Sequence, residues 1–355
     1  MELTVGKRLR ELSGPILITG HTGFKGTWLT FLLERLDVPV IGLALAPEKD
    51  SLFDRAKRTG VIPEEFIDVR DSKAVSKFMV KFRPSSVIHL AAQPLVLESY
   101  KNPRDTFETN VMGTVNVLDS AFNMNSVESV VVVTTDKVYR NDNSDRVFVE
   151  TDPLSGKDPY SASKVGTESV VAAWQQIAKV SGGPKLISVR AGNVIGGGDW
   201  AENRLMPDII RSLLAEKPIL IRSPQSTRPW QHVLDPLNGY LMALEELLSG
   251  AEIPAMNFGP YGKSLTVRQV VEIVDATWGT ATEIESEEPS KSHLIEAEKL
   301  QLDSSLAQEI LGWKPCWTQE ESVIATVVWW KEFLTDPRRS PITCCHENID
   351  YLLNS

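Results

Sequence analysis

The sequence predicts an α/β fold built on a doubly wound parallel sheet. Short, almost wholly apolar runs alternate with longer segments of helical periodicity in the first half of the chain. Such runs are typical of strands that helices cover on both faces, joined by right-handed crossovers. The predicted strands are 15–19, 38–45, 85–92, 128–135 and 185–192, and the predicted helices are 24–36, 72–82, 104–122 and 160–179.

Composition fits an ordinary globular chain. The 355 residues are 42% hydrophobic and 24% charged with a net charge of -10, so neither disorder nor long-range attraction to nucleic acid is expected. No apolar run reaches the roughly 18 residues of a membrane span, and the first residues lack the apolar centre of a signal peptide. Three cysteines, two of them adjacent, give no disulfide framework. We expect a cytoplasmic protein without nucleic-acid or membrane partners.

A glycine-rich turn follows the first predicted strand. Gly20, Gly23 and Gly26 lie in the sequence GHTGFKG, which also opens the first helix. Glycines permit a tight turn and close approach of the backbone to a pyrophosphate, to which free N–H groups of the helix donate. In this context the pattern favours a Rossmann-type dinucleotide site over an ordinary turn.

The acidic residue that usually holds the adenosine ribose is absent from its expected place. Leu45 and Ala46 stand there, ahead of Glu48, so this rule alone does not distinguish NAD from NADP. Asp68, after the next apolar segment, is a candidate adenine contact, and a surface carboxylate is the alternative interpretation.

A change of composition after Gly196 marks a second lobe. Glycines, turn-rich segments and polar stretches follow, and the sequence MNFGP at 256–260 predicts a late strand that returns to the main sheet. We predict an NAD-binding Rossmann domain over 14–192, joined by a strand near 255–260. A smaller, interleaved C-terminal substrate-binding lobe is expected over 193–340.

A tyrosine and a lysine four residues apart form a second pattern. On a helix this spacing places Tyr160 and Lys164 on one face. Tyrosine, with an ordinary pKa near ~10, acts as a base near neutrality only if positive charge stabilises its phenolate. Lys164 and an oxidised nicotinamide would provide it. Together with the glycine turn, the pair resembles the extended short-chain dehydrogenase/reductase superfamily; a solvated helix face is the alternative.

The residues Thr135, Asp136 and Lys137 end the VVVV strand, at the edge where open α/β sheets bind ligands. A reductase or epimerase of this superfamily needs only the hydroxyl there, whereas an adjoining acid and base can remove water. A surface ion pair is the structural alternative. The tripeptide favours a dehydratase.

Longer segments resemble the CDP-glucose 4,6-dehydratases, a family of that superfamily. They cover most of residues 15–245, and TDK, GGGDW and RPWQHV are rather specific to the CDP-glucose branch. The segments are GHTGFKGTWL (20–29), HLAAQPLV (89–96), TNVMGTVNVL (109–118), DPYSASK (158–164), RAGNVIGGGDW (190–200), LMPDIIRSLL (205–214) and TRPWQHVLDPLNGYL (227–241).

The resemblance implies a role for each matching residue. Thr135 would bind the sugar 4-hydroxyl, Asp136 would be the acid at the 6-hydroxyl, and Lys137 the base at C5. Tyr160 would be the base at the 4-hydroxyl, and Lys164 would anchor the nicotinamide ribose. The implied NAD contacts are Gly20, Thr22, Gly23, Phe24, Lys25, Gly26, Asp68, Val69, Leu90, Ala91, Ala92, Thr109, Tyr160 and Lys164.

Four further positions are implied to contact the nucleotide sugar: Gln93, Asn193, Arg204 and Arg228. Arginine suits a diphosphate because its planar fork binds phosphate oxygens in pairs. For Asn193 the alternative is a role in a turn, and for either arginine it is an ion pair between lobes.

These roles imply one reaction. Oxidation at C4 by NAD makes the C5 hydrogen acidic and the C6 hydroxyl a leaving group, and return of the hydride to C6 gives CDP-4-keto-6-deoxyglucose. Because the hydride returns internally, NAD is expected rather than NADP. The alternatives are a nucleotide-sugar 4-epimerase or reductase, which Asp136 and Lys137 disfavour, and a non-catalytic dinucleotide sensor, which Tyr160 disfavours.

Two regions depart from the family, and two others have ordinary structural explanations. Residues 140–151 lack the family's tryptophan-rich character, and the divergence of 292–305 weakens any role for His293. No metal site is expected, since residues 344–346, two cysteines and a histidine, are expected in a solvated tail. Trp329 and Trp330 are expected to pack a C-terminal helix.

The predicted helices 104–122 and 160–179 carry more apolar residues than one sheet-facing side requires. The resemblance likewise implies a homodimer through a four-helix bundle. The apolar residues are Val115, Val117, Leu118, Val170, Val171 and Ala172.

Overall fold

A seven-stranded sheet forms the centre of the computed structural model, which describes residues 6–142, 144–221, 224–279, 284–286 and 300–355. The strands are β1 (Ile16–Thr19), β2 (Val40–Ala44), β3 (Glu64–Phe66), β4 (Ser86–His89), β5 (Ser129–Val133), β6 (Val147–Phe148), β7 (Lys185–Ala191), β8 (Val194–Ile195), β9 (Ile219–Ile221), β10 (Thr227–Arg228), β11 (Gln231–His232), β12 (Ala255–Phe258), β13 (Leu265–Thr266), β14 (Ile284–Ser286) and β15 (Gln301–Leu302).

Helices surround this sheet. Two irregular turns, a π-helical turn at Glu108–Met112 and a 3-10 turn at Asp136–Val138, lie among them. The α-helices are α1 (Lys7–Arg10), α2 (Phe24–Arg35), α3 (Leu52–Arg55), α4 (Ser72–Phe82), α5 (Val96–Lys101), α6 (Pro103–Phe107), α7 (Gly113–Phe122), α8 (Pro159–Ser181), α9 (Leu205–Leu214), α10 (Leu234–Leu248), α11 (Val267–Trp278), α12 (Ser305–Leu311), α13 (Gln319–Thr335) and α14 (Pro341–Asn354).

The main sheet has the order β12-β7-β5-β4-β1-β2-β3, and all its strands are parallel. This confirms the predicted Rossmann-type α/β fold, and all five predicted strands are present. The edge strand β3 was not predicted, because its sequence EEF is polar. The late strand β12 pairs with β7, whereas the domain division near residue 192 stays a prediction.

Alternating side chains of the strands enter two separate apolar layers. Ile16 and Ile18 pack on one side of the sheet, with α2, α10 and α13, and Leu17 packs on the other, with α4 and α7. Both faces of the sheet are therefore covered by apolar side chains, as the continuous apolar runs predicted. Within the described ranges, no helix is long and apolar enough to cross a membrane.

The predicted helix over 104–122 is not continuous. The π turn separates α6 from α7 and directs the Asn110 side chain into the protein, where it is 1% exposed. Its Oδ1 accepts from the backbone N–H of Gln93 at 2.7 Å, and its Nδ2 donates to the Ser163 hydroxyl at 2.8 Å. Such insertions in helices are frequent at functional sites.

The C-terminal segment corrects one expectation and confirms another. Trp329 and Trp330 are buried in α13, as predicted. The expected solvated tail is wrong, because residues 341–354 form α14, in which Cys344 and Cys345 are buried. Their helical spacing with Ile349 completes an apolar face that packs on the core.

Candidate active site

The glycine turn is built so closely that side chains are excluded. Gly20 has φ +77°, and a Cβ there would lie 2.8 Å from the Ala91 nitrogen. A Cβ on Gly26 would lie 2.2 Å from the Gly20 carbonyl oxygen. The helix α2 then begins at Phe24 with Gly23 as its N-cap and without a side-chain cap. Its first N–H groups are therefore available to an anion, which fits the pyrophosphate of NAD.

The predicted adenosine contacts follow the edge strands. Thr22 donates to the carbonyl of Leu45 at 3.0 Å, which joins the glycine turn to the end of β2. Asp68 follows β3, but Arg70 binds its carboxylate through Nε and Nη2, and these hydrogen bonds lower the pKa of Asp68. The position thus fits the edge of a nucleotide site, although its charge is already paired. Val69 is buried.

Four other predicted NAD contacts lie just after β4 or in the π turn. Leu90, Ala91 and Ala92 directly follow β4 and are partly buried. The Ala91 N–H donates to the Thr19 hydroxyl at 3.3 Å, which holds this segment against the glycine turn. Thr109 lies in the π turn, also partly buried.

Thr135, Asp136 and Lys137 turn away from the end of β5. The Thr135 hydroxyl caps the 3-10 turn by accepting from the Lys137 N–H at 3.3 Å, and it donates to Asp136 Oδ1 at 3.0 Å. Asp136 is 3% exposed, and burial raises its pKa, opposed by the charges of Lys137 and Arg228. The raised pKa favours the protonated acid.

Tyr160 and Lys164 stand on the first turns of α8. Asp158 and Ser161 form a capping box that fixes the start of this helix. Tyr160 lies close enough to Thr135 and Asp136 for both to influence the pKa of its hydroxyl, so the predicted proton acceptor meets the TDK tripeptide. Lys164 donates to the carbonyl of Val133, the last residue of β5, at 3.0 Å. The two sequence patterns therefore converge on one site.

Burial sets the protonation states of this pair. It raises the pKa of Tyr160 to about 12, despite the opposing influence of Thr135, and lowers the pKa of Lys164 to about 8, despite the nearby Glu168 carboxylate. The phenol is therefore neutral at neutral pH. It can act as a base only after losing its own proton, and the phenolate needs further positive charge, which an oxidised nicotinamide would provide.

The predicted substrate residues differ in how they are placed. Arg204 pairs with Asp199 at 3.0 Å, and its pKa is raised mainly by Asp199 and also by Tyr160, so it lies beside the candidate catalytic cluster. Arg228, on β10, acts electrostatically on Asp136. Both arginines thus border the site.

The other two candidate substrate residues, Gln93 and Asn193, make hydrogen bonds within the protein. The Gln93 amide donates to the Leu95 carbonyl at 3.1 Å and to the Thr106 hydroxyl at 2.9 Å, which holds its own loop. Asn193 accepts through its backbone carbonyl from the Gln231 N–H at 3.1 Å. Its neighbour Gly192 lies against Asp136, since a Cβ there would be 3.0 Å from Asp136 Oδ2.

Two residues of the site were missed at the sequence level. Asn110 ties the end of β4 to α8, and its only signal was a polar side chain within the apolar segment TNVMGTVNVL. Glu168 is 6% exposed, lies one turn after Lys164, and raises the pKa of that lysine. Helical spacing could have placed Glu168 on the face of Lys164, but not its burial.

Other sequence expectations lie away from the cluster. Over the part of the chain that the structure describes, no group of three or more His, Cys, Asp or Glu residues is arranged to hold a metal ion. His293 lies outside the described residues, as does Asn143 in the divergent 140–151 loop. That loop is tied to the sheet by Arg190, which donates to the Glu150 carbonyl at 3.0 Å.

Residues 16–259 match the family model described as the NAD dependent epimerase/dehydratase family. The chain belongs to this family. It is 40% identical over 328 residues to a CDP-glucose 4,6-dehydratase of Salmonella typhimurium, covering 90% of this chain and 91% of that protein.

Solved structures of the family have the same fold. The NAD complex of the UDP-glucose 4-epimerase of Thermus thermophilus superposes with a TM-score of 0.77 and 26% identity, covering 89% of this chain and 99% of that one. A dTDP-glucose 4,6-dehydratase of Streptomyces venezuelae with bound NAD gives a TM-score of 0.77 at 24% identity, covering 92% and 100%. NAD is the cofactor that these comparisons support.

Proposed function

We propose that this protein is an NAD-dependent CDP-glucose 4,6-dehydratase, a hydro-lyase that forms CDP-4-keto-6-deoxyglucose. The observation that carries the proposal is the meeting of Thr135, Asp136 and Lys137 with Tyr160 in one cluster. The 40% identity to a CDP-glucose 4,6-dehydratase supports the choice of substrate.

Tyr160 acts first, as the acceptor of the proton of the sugar 4-hydroxyl. Thr135 lies beside Tyr160, whose pKa it influences, and would hold the 4-oxygen of the sugar next to the phenol. Lys164 supplies positive charge from one turn further along α8 and holds the nicotinamide ribose. Bound NAD supplies reversible hydride transfer, and the glycine turn and the unsatisfied N–H groups of α2 hold it.

Asp136 and Lys137 then remove water. Lys137 accepts the C5 proton, which is acidic once C4 is a ketone. Asp136 gives its proton to the departing 6-hydroxyl, a role that its burial supports by favouring the acid form. Arg204 and Arg228, which border the cluster, are placed to bind the substrate diphosphate.

A nucleotide-sugar 4-epimerase is the second candidate, since a UDP-glucose 4-epimerase has the same fold at 26% identity. One experiment separates the candidates: incubation with CDP-glucose and NAD, followed by mass spectrometry and the alkaline absorbance of 4-keto-6-deoxy sugars. Loss of one water identifies a dehydratase, and a product of equal mass identifies an epimerase. Unchanged CDP-glucose would contradict both and leave a dinucleotide sensor.

The proposal includes a homodimer in the cytoplasm that serves deoxysugar synthesis, for example for O-antigen. Three of the residues first assigned to excess apolar surface, Val117, Leu118 and Val171, are buried within the subunit, and that assignment is wrong for them. Other apolar side chains support the same surface. On α5 to α8 and the π turn, the exposed ones include Leu97, Tyr100, Phe107, Met112, Ile177 and Val180.

A further inference from the structure

The tripeptide 135–137 lies between two residues that bind the same buried ion pair. Thr134, directly before it, donates to Glu168 Oε1 at 2.6 Å. Tyr139, two residues after it, accepts from Arg190 Nη1 at 2.8 Å. Glu168 and Arg190 pair with each other, and both are almost fully buried. The segment that carries the proposed acid and base is therefore tied to one ion pair at both of its ends.

The Tyr139 hydroxyl uses its donor and its acceptor within the protein. It accepts from Arg190 and donates to Asn257 Oδ1, on β12, at 2.7 Å. The Asn257 Nδ2 in turn donates to the carbonyls of Phe148 and Asp303, at 3.1 Å each, which fixes the orientation of the amide. The Tyr139 ring is 1% exposed and stacks on the Phe148 ring with 5.0 Å between centroids. A substrate cannot reach this hydroxyl, so any effect on catalysis passes through the tripeptide.

The backbone after the tripeptide pairs with the segment that leads to α8. Tyr139 and Leu154 form a single antiparallel bridge, and the Ser155 N–H donates to the Val138 carbonyl at 2.8 Å. So short a pairing is weak unless side chains hold it. The buried hydroxyl of Tyr139 is such a side-chain anchor, and it lies two residues from Lys137.

The residues of the first chemical step are held by other contacts. The Tyr160 N–H donates to the Ser99 hydroxyl at 3.1 Å, and the capping box at 158–161 fixes the start of α8. The Lys164 Nζ donates to the Val133 carbonyl at 3.0 Å. None of these contacts includes Tyr139. Loss of its hydroxyl should therefore displace Lys137 and leave Tyr160 and Lys164 in place.

We propose that Tyr139 is a positioning residue for Lys137. Its hydroxyl, held between Arg190 and Asn257, fixes the end of the tripeptide so that the Lys137 amine stands at the sugar C5. The inference rests on the proposed function for the chemical step that it affects, and not for the anchoring itself.

The test is Tyr139→Phe, which keeps the stacked ring and removes both hydrogen bonds of the hydroxyl. The matched control is Tyr261→Phe, since Tyr261 is 46% exposed and its hydroxyl donates to Gln308 Oε1 at 3.1 Å. Rapid mixing of the NAD-loaded enzyme with CDP-glucose follows the absorbance of NADH. NADH appears as C4 is oxidised and disappears as the hydride returns to C6 after elimination.

The two phases should respond differently. In Tyr139→Phe we expect NADH to form within about threefold of the wild-type rate and to disappear about 10- to 100-fold more slowly, because a misplaced reacting group loses that much rate. Tyr261→Phe should match the wild type in both phases. A merely structural loss would not separate the two rates in protein that is folded.

Hydrogen exchange measures the anchoring without any sugar. In Tyr139→Phe, the amides of residues 136–141 should exchange roughly three- to tenfold faster than in the wild type, while those of α8 keep their wild-type rates. Equal acceleration throughout the chain would show general destabilisation and would overturn the inference.

The inference also fails if both NADH phases of Tyr139→Phe match the wild type or slow by the same factor. If this variant does not fold, Asn257→Ala decides, because it removes the acceptor of the Tyr139 hydroxyl. Persistent NADH in Asn257→Ala supports the inference, and NADH that disappears at the wild-type rate overturns it. The proposed function fails separately. A wild type that leaves CDP-glucose unchanged, with the predicted local exchange in Tyr139→Phe, would lose the dehydratase assignment and keep the anchoring role of Tyr139.

Discussion

Glu168 and Arg190 form a doubly hydrogen-bonded ion pair near the proposed catalytic cluster, with Nε–Oε1 and Nη2–Oε2 distances of 2.8 Å. Both side chains are almost fully buried. Thr134 and Ser188 donate to the same carboxylate at 2.6 and 2.8 Å. The pair therefore joins β5, β7 and α8 at the level where the catalytic residues begin.

Glu168→Gln should lower the free energy of unfolding by about 3–5 kcal/mol, because it leaves the buried guanidinium of Arg190 without a counter-charge. Denaturant unfolding at pH 7 measures the change. The matched control is Glu252→Gln, which breaks an exposed ion pair with Lys185 and should change stability little. An equal effect of the two substitutions would contradict the structural role assigned to Glu168.

The pH dependence of this effect has a definite sign. The hydrogen bonds and charge of Arg190 hold the pKa of Glu168 below its ordinary value. A depressed carboxyl pKa contributes stability above the pKa of the unfolded chain, and that contribution is lost as the pH falls through the folded pKa. The stability difference between wild type and Glu168→Gln should therefore shrink in acid.

Glu168→Gln should also shift the alkaline limit of the first chemical step to lower pH. Glu168 raises the pKa of Lys164, which burial otherwise lowers, to a net value of about 8. Without the carboxylate, Lys164 loses its proton at a lower pH and no longer stabilises the phenolate of Tyr160. Single-turnover NADH formation with CDP-glucose, followed against pH, measures the limit. A limit that stays in place or moves upward would show that Glu168 does not tune Lys164.

Lys137→Met should stop the reaction halfway. The substitution keeps much of the apolar stem but removes the amine, so Tyr160 and Lys164 can still oxidise C4 while deprotonation of C5 fails. Loss of a general base costs about 10²- to 10⁴-fold in rate, so enzyme-bound NADH should persist in single-turnover absorbance. CDP-glucose deuterated at C5 should expose an isotope effect on the residual turnover.

Tyr160→Phe is the control for that experiment, since it should abolish NADH formation altogether. Turnover of Lys137→Met within a few-fold of the wild type would mean that the base is another residue. The tripeptide would then be only the end of a strand.

Local pattern predicted the fold and the position of Thr135, Asp136 and Lys137 at the end of a strand, because both depend on short-range features such as apolar runs and glycines. The catalytic role of the tripeptide stays a prediction. The features that local pattern did not predict depend on contacts between residues that are far apart in the sequence. Lys25 donates a hydrogen bond to Tyr240, 215 residues away, and the sequence around either residue gives no sign of their contact. The π turn around Asn110 fails for a related reason, because the contacts that draw this side chain inward come from residues 93 and 163.

The GGGDW segment is another feature that the local sequence could not explain. It pointed to a family, but its glycines serve packing: a Cβ on Gly197 would lie 1.9 Å from Trp329 Cδ2, and the Gly197 carbonyl accepts from Trp28 Nε1 at 2.9 Å. The partner rings lie on α2 and α13, far away in sequence. Only the folded chain explains why glycine is needed there.

Gly197→Ala should accordingly destabilise the protein by about 1–3 kcal/mol, as expected when a methyl group is forced into a packed core. Thermal or denaturant unfolding measures this. Gly250→Ala is the control: its φ is +95°, yet nothing lies within 4 Å of a Cβ there. It therefore reports backbone strain alone and should cost less. A smaller effect at Gly197 than at Gly250 would show that α13 moves away freely.

The proposed dimer can be tested on the apolar surface beside the π turn. Phe107 and Met112 are 41% and 50% exposed, and burial of both against a second copy would remove apolar area from water. Light scattering at micromolar concentration should give twice the monomer mass for the wild type and the monomer mass for the double variant Phe107→Lys, Met112→Lys, since burying lysine charges in an apolar interface is costly. The control is Val80→Lys on α4, where a valine that is 60% exposed lies outside the proposed surface and the dimer should persist. A wild-type monomer would refute the dimer, and a dimeric double variant would place the interface on another face.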